Sequence, residues 1–137
     1  MSRILYQNPD GSVAVMIPAP ECGLTIEEIA AKDLPPDVTV YHLVEEADIP
    51  TDRTFRNAWT LQDGLLGHDM TKCMDLTKSR LRAARKPLLE AQDVLFQRAL
   101  ETGADTTAIV AEKQRLRDIT KLVTPELTIA ELKEISL

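Results

Sequence analysis

The pattern of apolar residues changes once along this chain of 137 residues, and that change limits the fold more than any other feature. Up to residue 62 the apolar runs are short, rich in Val and Ile, and separated by Pro and Gly. From Met70 onward the apolar residues recur at helical spacing. Short β-branched runs between turn residues indicate strands, whereas a period near 3.6 indicates amphipathic helices. The sequence therefore predicts an α+β fold with a β-rich N-terminal unit over 1–62 and a helical C-terminal region over 63–137.

The N-terminal third carries the signals of a small β-β-α-β unit. Two strand-like runs, Ile4–Tyr6 and Ser12–Ile17, flank an Asn-Pro-Asp-Gly stretch, which predicts a β-hairpin because Pro presets φ and Gly accepts a positive φ. Thr25 and Glu28 form a capping-box pattern that opens a helix of about two turns. The run Val38–Val44 predicts a third strand beside the hairpin.

The C-terminal region predicts an antiparallel helical hairpin. One buried stripe on a long helix is expected from the spacing of Met74, Leu81, Leu88, Leu95 and Phe96. Pro87 interrupts this run, so a kink or a new helix near that residue is expected. Gly103 predicts the end of the helix, after which Asp105 or Thr106 caps a second one. A second Thr-x-x-Glu pattern at Thr128 opens a short final helix.

Composition and charge argue against several classes of function. Aromatic residues make up only 4% of the chain against 44% hydrophobic residues, so the core must be aliphatic. The net charge of -6 argues against binding nucleic acid, which requires a basic surface. The acids concentrate in residues 1–52, with a net charge of −8, whereas residues 53–137 carry +2. No apolar run reaches the roughly 20 residues of a membrane span, and the N-terminus lacks the order of a signal peptide, so a cytoplasmic protein is expected.

The residues that commonly carry catalysis or metal binding are few. Cys22 and Cys73 lie far apart and outside any Cys-x-x-Cys pattern, so both are expected to be reduced packing residues. His42 and His68 do not form the closely spaced ligand pairs of a zinc site. Cys73 as a nucleophile with His68 as its base is one interpretation. The favoured interpretation is that His68 lies in a linker and Cys73 is buried in a helix. The sequence therefore predicts no enzyme activity, no metal and no cofactor.

An aromatic and arginine block occupies Asp52–Trp59, and it holds the only Trp and one of two Phe. Its candidate binding residues are Arg53, Phe55, Arg56 and Trp59. The favoured interpretation is a structural plug, in which Phe55 and Trp59 seal the β unit against the helices, with Asp52 or Thr51 capping a helical turn. The alternative is a recognition anchor, because Trp and Arg dominate the energetics of interfaces.

A basic strip lies on the long helix. It consists of Lys78, Arg80, Arg82, Arg85 and Lys86, with no acid between them. A solvated helix face, or an internal complement to the acidic N-terminal third, is the favoured interpretation. The functional alternative is docking onto an acidic protein surface through Lys78, Arg82 and Arg85. Nucleic acid is a weaker choice because no aromatic residue is interleaved.

Four segments, taken in their order along the chain, resemble segments of known proteins. They follow the N-terminal hairpin and are Asp48–Pro50, the block Asp52–Trp59, the basic Arg80–Arg85 helix with Pro87–Leu89, and Lys113–Thr120. Their order resembles small proteins of tailed bacteriophages and prophages, and the C-terminal half is similar to the phage tail assembly chaperone family. The resemblance implies a non-enzymatic protein that assists tail or tail-fibre assembly.

The resemblance also implies partners and a location. The expected partner is a phage tail, fibre or other virion protein, self-association is a further option, and neither nucleic acid nor membrane is expected. The chaperone would work in the host cytoplasm during phage assembly. The alternative is a structural virion protein, as a component of the tail, the baseplate or the capsid.

Overall fold

A computed structural model describes all 137 residues, which form two compact units. The N-terminal unit, Met1–Asp69, contains five strands and one α-helix, and the C-terminal unit, Met70–Leu137, contains three α-helices. The predicted α+β class is confirmed. The N-terminal unit extends beyond the predicted limit of residue 62, because a further pair of strands precedes Met70.

The N-terminal unit is built on a three-stranded antiparallel sheet. Strand β1, Ser2–Gln7, lies between β2, Val13–Met16, and β3, Tyr41–Glu45. The predicted hairpin and third strand are therefore confirmed. The third strand begins later than predicted, because the Val38 amide donates to the Pro35 carbonyl at 3.0 Å in a turn.

Both faces of this sheet are covered, as a hairpin on its own would not be. Successive side chains of β1 point to opposite faces. On one face Leu5 belongs to a buried cluster, which comprises Leu5, Val13, Ile49 and Trp59. On the other face Ile4 packs with Ile29 and Ala30 of helix α1, Ile26–Asp33. The short aliphatic runs of the sequence thus form two thin layers of core around one sheet.

A second hairpin occupies the segment around His68, for which the sequence predicts a polar linker through Gln62–Gly64 and Gly67–Asp69. Strands β4, Trp59–Gln62, and β5, Leu65–His68, pair antiparallel. The two residues between them, Asp63 and Gly64, have φ values of 51° and 79°. Positive φ at both central positions is the geometry of the tight turn that Asp-Gly favours between strands. The linker prediction is wrong, since this dipeptide closes a hairpin.

Both predicted capping boxes are present. The Thr25 hydroxyl accepts from the Glu28 amide at 3.2 Å, and the Glu28 carboxylate accepts from the Thr25 amide at 2.7 Å. The same reciprocal bonds join Thr128 and Glu131 at the start of α4, Ile129–Glu134. Short helices need such caps, because their first amides have no partner within the helix.

The C-terminal unit contains the predicted helical hairpin. Helix α2, Met70–Thr102, and helix α3, Thr107–Asp118, run antiparallel. The direction follows from two contacts between them. Arg85 of α2 donates to the Arg117 carbonyl near the end of α3, whereas Asp93, further along α2, pairs with Lys113, earlier in α3.

The turn between α2 and α3 uses the expected residues. Gly103 has a φ of 68°, and the Ala104 amide donates to the Ala99 carbonyl at 2.9 Å, which ends α2 with a left-handed C-cap. The Asp105 carboxylate accepts from the Thr107 hydroxyl at 2.7 Å and from the Thr107 amide at 3.0 Å. These hydrogen bonds hold the pKa of Asp105 below its ordinary value.

Helix α2 departs from the sequence prediction in two respects. It continues through Pro87, so the prediction of a new helix there is wrong; a single Pro removes only one backbone donor from a long helix. The predicted stripe is correct at Leu81, which is buried, but Leu88 and Leu95 are each 44% exposed. The buried positions are Cys73, Thr77, Leu81 and Ala99. Steps of seven turn by only about 20° per repeat, so Leu88 and Leu95 stay on nearly the same side of the helix as Leu81. Between Leu81 and Ala99 the partly buried positions are instead Arg85, Leu89, Gln92 and Phe96, on a neighbouring side of the helix.

None of these helices combines the length and the apolar content that crossing a membrane requires.

Candidate partner-binding surfaces

The two aromatic rings of the block Asp52–Trp59 are buried. Trp59 is 2% exposed and Phe55 is 5% exposed. Trp59 is the first residue of β4 and packs in the cluster with Leu5 and Val13. A partner would therefore reach these rings only if the N-terminal unit rearranged. The assignment of Phe55 and Trp59 to partner binding stays a prediction. The structure shows Trp59 as a residue of the core.

The two arginines of the block are exposed. The Arg53 guanidinium carbon lies 5.3 Å from the centroid of the Trp59 ring, within the range of a cation-π interaction. Arg56 begins a single turn of 3-10 helix that has no side-chain cap. The Asp52 carboxylate instead accepts from the Thr54 amide at 3.0 Å and its hydroxyl at 2.6 Å. Asp52 thus orders a turn ahead of the helix and does not cap it.

The five bases of the basic strip on α2 fall into two groups, according to whether they donate hydrogen bonds to other helices. Arg80 donates to the carbonyl of Ile135 at 2.8 Å, just beyond α4, and Arg85 donates to the carbonyl of Arg117 at 2.8 Å, near the end of α3. The last carbonyls of a helix lack N–H donors within the helix, and cations stabilise them. Two of the five bases therefore hold helix ends together within the C-terminal unit.

The other three bases form a row along α2. Lys78, Arg82 and Lys86 are spaced by four, so they lie on one side of the helix. Arg82 and Lys86 are exposed and Lys78 is half-buried. None of the five bases in the strip forms an ion pair. The row, defined as Lys78, Arg82 and Lys86, therefore presents positive charge that forms no salt bridge within the chain.

This division predicts different effects of two similar substitutions. Arg85→Met is expected to lower the free energy of unfolding of the C-terminal unit by about 1.5–3 kcal/mol, because it removes a charged donor from two carbonyls. Arg82→Met, one turn away and exposed, is expected to change it by less than about 0.5 kcal/mol. Urea unfolding followed by circular dichroism measures both. Equal effects would show that Arg85 does not hold the end of α3.

The residues considered for catalysis and metal binding belong to different elements. Cys73 is buried in α2, as predicted, but Cys22 is exposed, so its prediction as a packing residue is wrong. His68 belongs to β5 and His42 to β3. No group of three or more His, Cys, Asp or Glu side chains is placed to hold a metal ion.

Arg3 is a buried cation that the sequence patterns do not single out. It is 8% exposed, and its Nη2 lies 3.0 Å from a carboxylate oxygen of Glu46. The only signal in the sequence is a base beside the apolar pair Ile4 and Leu5 at the start of a strand. A buried charge without a paired carboxylate would be costly, so Glu46 accounts for part of this arrangement.

Comparisons with protein-family models, with curated proteins and with solved structures found no match to this chain.

Proposed function

We propose that this protein acts without catalysis in bacteriophage morphogenesis, as an assembly chaperone for a tail or tail-fibre protein. The observation that supports this proposal is the row of α2, which carries positive charge without ion pairs. Complementary charge steers a partner toward an interface and fixes its orientation. The partner is therefore expected to present an acidic surface to α2.

The proposed contact extends to exposed apolar side chains of α2 that lie on other sides of the helix from the row. Leu88 and Leu95 are each 44% exposed, and Val94 is 50% exposed. A chaperone that shields an assembly surface must cover apolar area until the partner is incorporated, and apolar side chains among charges suit that task. Under this proposal the chaperone holds its partner in the host cytoplasm and leaves before the particle is complete.

Charge reversal of the row tests this proposal. Arg82→Glu with Lys86→Glu is expected to reduce the capture of a tail or fibre protein from phage-infected cells at least about tenfold, because attraction becomes repulsion. Quantitative mass spectrometry of the captured proteins gives the measurement. The matched control is Arg98→Glu with Arg117→Glu, which changes the net charge equally at two other exposed positions.

The outcomes separate the candidate roles. Capture that both double variants retain would contradict a role for the row. Mass spectrometry of purified virions addresses the alternative, since a chaperone should be absent from the particle. A fixed copy number in virions would instead assign a structural role in the tail, baseplate or capsid.

A further inference from the structure

The N-terminal unit contains a cavity of about 100 Å³ that two arginines line, Arg3 and Arg53. The apolar part of its wall comes from Val15, Ile17, Ile49 and Pro50. Glu46 is the only acidic residue in the wall. Two guanidinium groups against one carboxylate leave this cavity, here named the Arg3–Arg53 pocket, with an excess positive charge.

Arg3 has an unused hydrogen-bond donor. Its side chain is 10% exposed, and only Nη2 pairs with Glu46. Its Nη1 is buried and has no acceptor within the protein. An unpaired buried donor is costly, and charged groups are the most costly of all. The guanidinium fork matches the two oxygens of a carboxylate, so a second carboxylate would complete the hydrogen bonding of Arg3.

Arg53 adds a second cation that is already positioned. Its guanidinium lies 5.3 Å from the centroid of the Trp59 ring, and the ring itself is fixed in the core. A guanidinium held against a ring loses less side-chain freedom when it binds an anion than one that moves freely in solvent. The pocket thus combines a buried guanidinium, which carries one unpaired donor, with an exposed and partly ordered one.

We propose that the Arg3–Arg53 pocket binds a carboxylate on a short aliphatic stem. The small volume suits a carboxylate with one or two methylenes. Glu46 in the wall disfavours a phosphate dianion, because like charges repel at short range. The inference rests on the proposed function, since the carboxylate is that of a protein partner, either a glutamate side chain or a C-terminus.

Three small probes distinguish these sources on the full chain. N-acetylglutamate N-methylamide carries only a side-chain carboxylate, N-acetylleucine carries only a terminal one, and N-acetylglutamine N-methylamide is the neutral control. NMR titration is expected to give saturable shifts at the side-chain NH groups of Arg3 and Arg53 and at the amides near Ile49. The neutral probe should leave them unchanged. The acid that saturates at the lower concentration identifies the source.

Two matched variants decide whether the pocket is responsible. Arg53→Gln is expected to weaken binding of the acidic probe at least about fivefold. Arg56→Gln, an equally exposed arginine outside the pocket, should leave it unchanged. Equal weakening in both variants, shifts that do not saturate, or equal binding of the neutral probe would overturn the proposal.

The failure of this pocket and the failure of the chaperone role are separate outcomes. Arg82→Glu with Lys86→Glu alters the row and leaves every residue of the pocket in place. Probe binding that persists in this double variant supports the pocket even if capture of phage proteins is lost. Capture by the native chain with no binding of either acidic probe rejects the pocket and retains the chaperone role.

Discussion

Replacing Trp59 with Ala is expected to destabilise the N-terminal unit by about 3–5 kcal/mol, which is a large part of the stability of a small domain. Trp59 is 2% exposed and packs with Leu5, Val13 and Ile49. It is the only tryptophan of the chain, and this cluster contains no other aromatic residue. Aliphatic neighbours on a sheet relax only partly into the space that an indole leaves, so most of the cavity cost should remain.

The free energy of unfolding of this unit is measured by following the loss of dispersed amide resonances from residues 1–69 during unfolding. Resonances of one unit are needed because the two units need not unfold together. Arg56→Ala is the control, since this nearby exposed residue should change the free energy of unfolding by less than about 0.5 kcal/mol. A Trp59→Ala variant with native unfolding behaviour would contradict the core role. If that variant also failed to capture the phage partner, the ring would be a recognition anchor.

Elements set by local chemistry could be predicted from the sequence. The capping boxes at Thr25 and Thr128 depend on groups three residues apart, and both are present. The end of α2 at Gly103 depends on one residue that tolerates a positive φ. These interactions form within one or two turns of chain, so the residues that determine them are visible in a short window.

The β4–β5 hairpin was harder to predict, although Asp63–Gly64 is a known hairpin dipeptide. Strand β5 contains two leucines and a glycine and no β-branched or aromatic-ring strand former, so its intrinsic preference for β structure is weak. Leu61 and Leu66 pack against the cluster that contains Trp59. Tertiary packing therefore decides the conformation here, and a short window of sequence does not contain it.

The roles of the arginines depend on distant contacts in the same way. Arg80, Arg82 and Arg85 have similar neighbours in sequence, yet only Arg82 remains free for a partner. The carbonyls that Arg80 and Arg85 bind lie as far as 55 and 32 residues away. Arg3 likewise meets Glu46 only after β3 has paired with β1. Charge pattern alone predicted the basic strip, and the fold determines which members of it are available.

The same dependence on the fold gives a second large effect, at Leu81. Leu81→Ala is expected to lower the free energy of unfolding of the C-terminal unit by about 2–5 kcal/mol, because this side chain is 1% exposed. Leu88→Ala is the matched control in the same helix, where the side chain is 44% exposed and the loss should stay below about 1 kcal/mol. Ala and Leu have similar helix propensities, so the difference between the two variants reports burial.

Urea unfolding monitored by far-ultraviolet circular dichroism measures both variants. The relative size of the two losses in unfolding free energy shows whether Leu88 is covered as Leu81 is. The spacing of the leucines alone predicts equal losses at Leu81 and Leu88, since both belong to one stripe with a step of seven. The structure predicts a large loss only at Leu81, because Leu81 is 1% exposed whereas Leu88, on nearly the same side of the helix, is 44% exposed. Equal losses would mean that Leu88 is covered in solution, and the apolar part of the proposed interface on α2 would then be withdrawn.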